Sequence, residues 1–332
     1  MNEPLSRRRS LLALGVLCGA PALLSPPARA QATLPDRALR ILVGFSAGGG
    51  AELMARIIAP RLELRTGRHT TIENKPNDRA EPAGEFLRKG LVGGSVVAFL
   101  PTTTIATMPE GEAFPFDSKS DLVPLTMAGA FHVALAAAPA SNISTFAGLA
   151  DWLKAGPPER RRFGTSSRDD YLRLYVMTIG REIGVALEPV VHKNTAALVA
   201  ALRAGEIPAG IASAATLLEH NRGGGVKTLM TSGARRLGVL RTVPTARELG
   251  HPELELQEWY GFFGSSASPP AIAAEWSRQL QALLTEDEVK AQLAQLGLDV
   301  DPSTQAEAAE RFRTRLRIWK EKTDSFGIKP AD

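Results

Sequence analysis

Short apolar runs with the composition of β-strands alternate with segments of helical periodicity along most of this 332-residue chain. The first set predicts β-α-β-α-β at residues 39–45, 52–64, 69–73, 81–89 and 96–100. A second set has strands at 131–138 and 162–165, helices at 145–154 and 171–183, and further alternation through 187–191, 195–204, 209–212 and 226–231. Strands that alternate with helices form parallel sheets with helices on their faces. The pattern therefore predicts an α/β protein of two lobes.

The last eighty residues are dominated by predicted helices that return to these lobes. One helix begins at Pro269 and Pro270, a second covers 286–296, and a third covers 304–322. The third begins with a T-x-x-E capping box, in which a hydroxyl and a carboxylate satisfy each other's backbone N–H groups. Its apolar positions recur at spacings of four, four and three, which predicts one face packed on a sheet: Ala308, Phe312, Leu316 and Trp319.

The first thirty residues have the parts of an export signal. Three arginines at 7–9 precede a short apolar stretch at 11–24, and Ala28-Arg29-Ala30 supplies a small-x-small cleavage site. The apolar stretch is too short and too interrupted by Gly and Pro to span a bilayer. Residues 6–12 also resemble a twin-arginine signal. We expect cleavage after Ala30 and a periplasmic location.

Removal of this segment changes the charge balance. The whole chain has 39 basic and 35 acidic residues, but the first thirty contain four Arg and one Glu, so the remainder has a net charge of only +1. The single cysteine, Cys18, is removed as well. We therefore expect no nucleic-acid partner and no disulfide, and a chain of this size can form a stable core without one. We expect a monomer.

The pentapeptide Gly44-Phe45-Ser46-Ala47-Gly48 fits G-x-S-x-G, the nucleophile elbow of α/β-hydrolases. Ser46, however, follows the first strand, whereas such an elbow normally comes after several strands. No histidine has the sequence context of a catalytic base: His69, His132, His192, His220 and His251. A serine hydrolase therefore remains only as an alternative.

Cofactor and metal motifs are incomplete. Gly48-Gly49-Gly50 does not complete G-x-G-x-x-G, because Leu53 occupies the position of the third glycine, and there is no Walker lysine. No two histidines are three or four residues apart, so metal-ligand spacing is missing too. We expect no cofactor and no metal. What remains is a loop of small residues before a helix N-terminus, whose N–H groups suit a carboxylate.

These features resemble the Bug-type extracytoplasmic solute receptors of tripartite tricarboxylate transporters, a TctC-like family. Residues 41–56 are similar to the first strand-loop-helix of that family, and TIENKP at 71–76 is similar to its V-V-E-N-R-P motif. The other matching segments follow in the family's order: 115–126 (PFDSKSDLVPLT), 190–205, 225–236 (GVKTLMTSGARR), 243–250 (VPTARELG) and 258–263 (EWYGFF). The resemblance therefore covers essentially the whole exported chain.

The resemblance implies a two-lobed type II periplasmic-binding-protein fold, the Venus flytrap. The first lobe would contain residues 31–134 and 248–332, and the second 135–247. It implies a receptor without enzymatic activity that binds a small organic anion, a carboxylate, through backbone N–H groups and water in the cleft between the lobes. Membrane transporter subunits, or a sensor domain, would be its partners.

The resemblance also implies ligand-binding residues by position. The first loop would supply Phe45, Ser46, Ala47, Gly48, Gly49 and Gly50, with Thr102 and Thr103 on the same side of the cleft. The second lobe would supply Thr165, Ser166, Ser167 and Arg168, together with His192 and Asn194, which flank Lys193 where the family has a Tyr-Lys-Gly-type turn. Three departures from the family pattern concern these loops: Glu52 in place of Asp, the charged segment 77–81, and the charged run 167–170.

These departures leave two questions open. A degenerate receptor that contacts a partner protein instead of a small ligand is the alternative that they favour. Arg168 either points into the cleft, where its guanidinium could bind a carboxylate in a bidentate manner, or pairs with Asp169 or Asp170 at the surface.

Overall fold

Two β-sheets organise the computed structural model, which describes residues 33–45, 47–48, 50–75, 81–89, 93–106, 117, 119–166 and 170–327. In chain order the elements are β1 (Leu39–Val43), α1 (Gly50–Thr66), β2 (Thr70–Asn74), α2 (Glu81–Arg88), β3 (Val96–Pro101), α3 (Thr102–Ala106), β4 (Leu122–Phe131), β5 (Val133–Ala137), α4 (Phe146–Lys154), β6 (Arg162–Thr165), α5 (Asp170–Ile183), β7 (Glu188–Val191), α6 (Thr195–Ala204), β8 (Ala209–Ser213), α7 (Ala214–Arg222), β9 (Lys227–Thr231), β10 (Glu258–Ser265), α8 (Pro270–Leu284), α9 (Asp287–Gln295), β11 (Asp299–Val300) and α10 (Gln305–Ser325).

The first sheet has the order β11-β4-β10-β3-β1-β2. Strand β1 is parallel to β2 and β3, whereas β10 runs antiparallel between β3 and β4. Alternate residues of β1 enter different cores, because side chains along a strand point to opposite faces. Ile41 packs with α1, α8 and α9, and Leu42 packs with α2, α3 and α10. Helices therefore cover both faces of this sheet, which with them forms the first lobe.

The second sheet has the order β7-β6-β8-β5-β9. Strands β6, β7 and β8 are parallel, and β5 is antiparallel to β8 and β9. Helices α4 and α5 cover one face and α6 and α7 the other, again with alternate residues of the strands in the two layers. This sheet and its helices form the second lobe.

Two adjacent segments connect the lobes, and we call them the outgoing crossing (131–133) and the return crossing (256–258). Their strands pair where Glu258 lies opposite Phe131. Between them lies the buried hydroxyl of Ser232, which donates to the carbonyl of Leu256 at 2.8 Å and accepts from the amide of Val133 at 2.9 Å. The two crossings are therefore joined side by side.

Helix α10 spans both lobes. Phe312, in its first half, is buried in the first lobe, whereas Trp319 is buried among residues of the second. The predicted capping box is confirmed, since the side chains of Thr304 and Glu307 each accept the other's backbone N–H group. The prediction that the stripe packs on one sheet is incomplete, because Trp319 leaves the first sheet for the second lobe.

The predicted alternation of strands and helices is confirmed in both lobes, with two corrections. The strand expected at 131–138 is two elements, because β4 ends at Phe131 and β5 begins at Val133 in the other sheet. The strands β10 and β11 fall in the region expected to be helical. Among the described residues, no helix combines the length and apolarity required to cross a membrane. The export signal lies outside the described residues, and the predicted lobe limits remain predictions.

Candidate functional site

The segments that follow β1 in the first lobe and β8 in the second approach each other, and we call the boundary between them the cleft. In open α/β sheets, ligands bind beyond the carboxyl ends of the strands. Here β1 leads to Gly50, the first residue of α1, and a Cβ atom at Gly50 would lie 3.9 Å from Thr216 Cγ2 in α7. The same atom would lie 4.0 Å from the Tyr260 hydroxyl. Both distances are ordinary van der Waals contacts, so the first loop lies against the second lobe at Gly50.

The first loop is held in place by neighbouring side chains. Gly48 has a φ of +80°, a conformation that favours glycine, and its N–H donates to Glu52 Oε2 at 3.2 Å. Glu52 is buried and also pairs with Arg56. The carbonyl of Phe45 accepts from Asn74 Nδ2 at 2.9 Å. A bound anion must therefore use N–H groups of this loop other than that of Gly48.

The remaining predicted residues of the first loop differ in accessibility. Ala47 is exposed, and Phe45 and Gly50 are partly buried. Ser46 and Gly49 lie outside the described residues. The geometry of the G-x-S-x-G motif is therefore described only around its serine.

Thr102 and Thr103 begin α3 on the first-lobe side and are both fully buried. The hydroxyl of Thr102 donates to the carbonyl of Trp259 at 3.2 Å and lies 3.4 Å from Glu258 Oε2. This hydroxyl is directed into the protein, so Thr102 joins the cleft side of the sheet to a buried carboxyl group.

In the second lobe, the turns after β6 and β7 are adjacent. The carbonyl of Thr165 accepts from the amide of His192 at 2.9 Å, and His192 Nδ1 lies 3.1 Å from the carbonyl of Val190. Asn194 caps α6, because its side chain accepts from the amide of Ala197 at 2.9 Å. Ser166 is partly buried and Lys193 exposed, whereas Ser167 and Arg168 lie outside the described residues.

Three residues at the cleft were not identified from the sequence. The Thr216 hydroxyl donates to the carbonyl of Ser213 at 2.9 Å. The Thr195 hydroxyl lies 3.4 Å from the Thr216 hydroxyl. Tyr260 is stacked between Phe99 and Phe131, with ring centroids 5.2 and 4.6 Å away. The strand-turn-helix pattern at β8–α7, the same as at β1–α1, was the available signal for Thr216. For Tyr260 the available signal was its place as an aromatic residue in the family-like segment EWYGFF.

Two buried titratable groups lie at the crossings. Burial lowers the pKa of His132 from 6.5 to about 4, although Asp299 opposes this. Burial raises the pKa of Glu258 from 4.5 to about 7, although Arg315, Trp319 and Thr102 favour the ionised form. In the described part of the chain, no cluster of histidine, cysteine and carboxylate side chains has the arrangement of a metal site.

Comparison with known proteins identifies the family. The model of the tripartite tricarboxylate transporter family receptor matches residues 54–320. The chain belongs to this family. Protein BugT of Bordetella pertussis is 25% identical over 293 residues, which cover 86% of this chain and 88% of BugT.

Solved structures have the same fold. The R. palustris protein Rpa4515, with adipate, superposes with a TM-score of 0.82 at 20% identity over 90% of this chain and 99% of that one. MatC from Rhodopseudomonas palustris, with bound malate, has a TM-score of 0.76 at 20% identity over 87% and 99% of the two chains. The periplasmic binding protein BugD has a TM-score of 0.78 at 19% identity over 89% and 99%. The predicted two-lobed periplasmic-binding-protein fold is confirmed.

Family membership also decides between the chemical alternatives. The family consists of receptors, and the chain is accordingly a binding protein and not an enzyme. The serine-hydrolase alternative for Ser46 is therefore wrong. The individual ligand-binding residues remain predictions.

Proposed function

We propose that the chain captures a small carboxylate-bearing metabolite in the cleft and delivers it to the membrane subunits of a tripartite tricarboxylate-type transporter. The observation that carries this proposal is the approach of Gly50 to Thr216 and Tyr260. It brings a loop of backbone N–H groups of the first lobe, together with the Tyr260 hydroxyl of the same lobe, against the Thr216 side chain of the second. Donors of this kind, converging from two lobes, suit a carboxylate that is enclosed when the lobes close.

The relatives support the same class of ligand. Adipate and malate, the molecules named with two of the neighbours, are both dicarboxylates. In this chain we assign the first loop, Thr102, Thr103, residues 165–168, His192 and Asn194 to the site, and we add Thr195, Thr216 and Tyr260. In the described part, Thr102 and Asn194 already use their side chains in the fold, so we assign them a role through the backbone.

A thermal-shift panel tests the proposal on residues 31–332. The panel contains mono-, di- and tricarboxylates, with malate and adipate among them, together with amides and aromatic acids. A ligand at 100-fold its Kd should add about 2.7 kcal/mol to the free energy of unfolding. No shift with any acid, together with capture of a specific protein partner, would instead favour the degenerate receptor.

Thr216→Val provides the site-specific test with the acid that the panel identifies. It keeps the shape of the side chain and removes the hydroxyl, whose O–H must turn from the carbonyl of Ser213 to the bound acid, so we expect affinity to fall at most about fivefold, the value of one hydrogen bond of about 1 kcal/mol. Thr285→Val is a matched control, because Thr285 makes the same bond to the carbonyl three residues earlier, at 2.8 Å, on an exposed helix end. Equal affinities in both variants would remove Thr216 from the site.

We further propose that the chain is exported to the periplasm as a monomer after cleavage behind Ala30. The arginine-containing signal and the periplasmic relatives support this assignment. Intact mass of the protein recovered from the periplasm should correspond to a chain beginning at Gln31. A mass that includes the first thirty residues would contradict it.

A further inference from the structure

The side chain of Glu258 is fully buried at the return crossing. Glu258 is the first residue of β10, and it pairs with Phe131, the last residue of β4. A carboxyl group in this position is unusual, because a charged group without water is strongly disfavoured unless it is paired.

Three side chains contact this carboxyl group. Trp319 Nε1 donates to Oε1 at 3.2 Å, Arg315 Nη1 lies 3.6 Å from the same oxygen, and the Thr102 hydroxyl lies 3.4 Å from Oε2. The Arg315 distance is too long for a direct hydrogen bond. The ionised form is therefore only partly compensated, and near neutral pH both protonation states are populated.

These contacts connect Glu258 to the cleft in both lobes. In the first lobe, Thr102 is the first residue of α3, directly after β3, and is one of the residues predicted to bind the ligand. Towards the second lobe, the Trp319 ring packs edge-on against Tyr171, with centroids 6.1 Å apart. Tyr171 lies in the first turn of α5, the helix that follows β6 in the chain. The Glu258 carboxyl group therefore contacts Thr102, a predicted ligand residue of the first lobe, directly. It is connected to α5 of the second lobe through Trp319 and Tyr171.

The other charged groups near Glu258 come from three elements. Helix α10 supplies Arg315 and Lys322, and burial lowers the pKa of Lys322. Glu253, in the turn before the return crossing, and Arg181, from α5, act on Lys322. The α3 sequence TTTIA and the β4 sequence LVPLTMAGAF contain no charged residue. Glu258 is therefore the only acidic group among these that touches Thr102.

We propose that Glu258 is a positioning residue through which binding of a carboxylate in the cleft takes up a proton. This rests on the proposed function. An anion bound beside Thr102 and an ionised Glu258 carboxylate are like charges in a region of low polarity, so each disfavours the other. By linkage, a ligand that favours protonated Glu258 must itself bind more weakly as the pH rises and the carboxyl group ionises.

The protonation step can be tested without any ligand, by the indole N–H resonances of the tryptophans. The Trp319 resonance should titrate with a midpoint near pH 7, since its N–H donates to Glu258. Trp276 is a matched control, because its Nε1 donates at 2.7 Å to the carbonyl of Gly94, which does not titrate. Glu258→Gln should abolish the Trp319 titration. A flat Trp319 resonance in the wild type, or a titration that persists in Glu258→Gln, would overturn the proposal.

Calorimetry tests the coupling, with malate and adipate as the first probes and then the other acids of the panel. If the bound anion raises the pKa of Glu258 by about one unit, affinity should fall about fivefold between about pH 6 and pH 8, and binding near pH 7 should take up about 0.4 proton. Proton uptake is read from the heat in buffers of different ionisation enthalpy. Glu258→Gln should bind with little pH dependence, and Glu258→Asp should retain it.

The outcomes separate the two proposals. Binding without the Glu258-dependent proton uptake overturns the coupling and leaves the receptor function intact. Titration of Trp319 without binding of any acid overturns the receptor function and, with it, the coupling. The wild-type measurements alone decide both points if Glu258→Gln does not fold.

Discussion

His132 and Glu258 are buried titratable residues, one on each of the two segments that connect the lobes. Burial shifts both towards the neutral form, which lowers the pKa of the histidine to about 4 and raises that of the carboxyl group to about 7. Their surroundings differ. Within the described residues His132 Nδ1 has no hydrogen-bond partner, and a Cβ atom on Gly233 would lie 1.9 Å from its ring.

Glu258, in contrast, has donors for its ionised form from α3 and α10. The comparison teaches that burial alone does not make a crossing sensitive to pH near neutrality. The outgoing crossing carries a group that stays neutral, whereas the return crossing carries one that changes charge. Three experiments should break or sharpen this difference.

The largest effect is expected at Trp319, which contacts Glu258 from one side and the second lobe from the other. Trp319→Ala should lower the free energy of unfolding by about 3–5 kcal/mol, since a large buried side chain is lost. The loss should be about 1 kcal/mol greater at pH 8 than at pH 5, because the ionised carboxyl group also loses a donor. Denaturant titration at both pH values measures it.

Trp276→Ala is the control for this experiment. Trp276 is equally buried, but its indole donates to a carbonyl group that does not titrate. Its loss should be similar at both pH values. If the two variants show the same pH dependence, Glu258 does not distinguish the return crossing.

The next effect concerns the pH dependence of stability, in which the two crossings oppose each other. His132 stabilises the fold above about pH 6.5, and this contribution is lost as the pH falls through 4. Glu258 stabilises it below about pH 4.5, and this contribution is lost as the pH rises through 7. Each amounts to at most about 3 kcal/mol. Between pH 4.5 and 6.5 the two contributions change in opposite directions.

Single variants should reveal the two slopes. Compared with wild type, Glu258→Gln should lose stability more steeply as the pH falls from about 7 to 4.5. His132→Gln should lose it less steeply as the pH falls from about 6.5 to 4. Urea titrations over this range measure both differences, and the shared effect of surface carboxylates cancels in the comparison. Parallel curves for wild type and either variant would show that the altered group does not carry the assigned pKa.

The parts of this molecule that were predictable from sequence are those whose signals are local. The strand-helix alternation of β1–α1 and β6–α5, and the Thr304 capping box, depend on neighbours within a few residues. β10 was missed because it lies between β3 and β4, and this pairing depends on residues far away in the chain. Glu258 at its start was assigned no role from the sequence, because the contacts of this residue come from α3 and α10, which are distant from one another in the chain.

The candidate site shows the same division. The glycine loop before α1 was recognisable, because a strand followed by small residues and a helix is a local pattern. Thr216 and Tyr260 became part of the site only when the second lobe and the first sheet were placed against Gly50. Asn194 was predicted to bind a ligand because it lies where the family has a Tyr-Lys-Gly-type turn, but its side chain caps α6. Sequence position indicated the turn but not which atom of the turn is free.

The smallest effect is expected at Ser232, whose hydroxyl joins the two crossings. Ser232→Ala leaves the amide of Val133 and the carbonyl of Leu256 without this partner in a buried position, so the free energy of unfolding should fall by about 2 kcal/mol. No titratable group takes part, and the loss should therefore be equal at pH 5 and pH 8. Ser141→Ala is the matched control, because Ser141 makes the same pair of bonds, to Ala138 and from Ile143, in a partly exposed turn. Water can replace the Ser141 hydroxyl, so Ser141→Ala should lower the free energy of unfolding by less. A loss in Ser232→Ala that depends on pH would mean that the two crossings titrate as one unit.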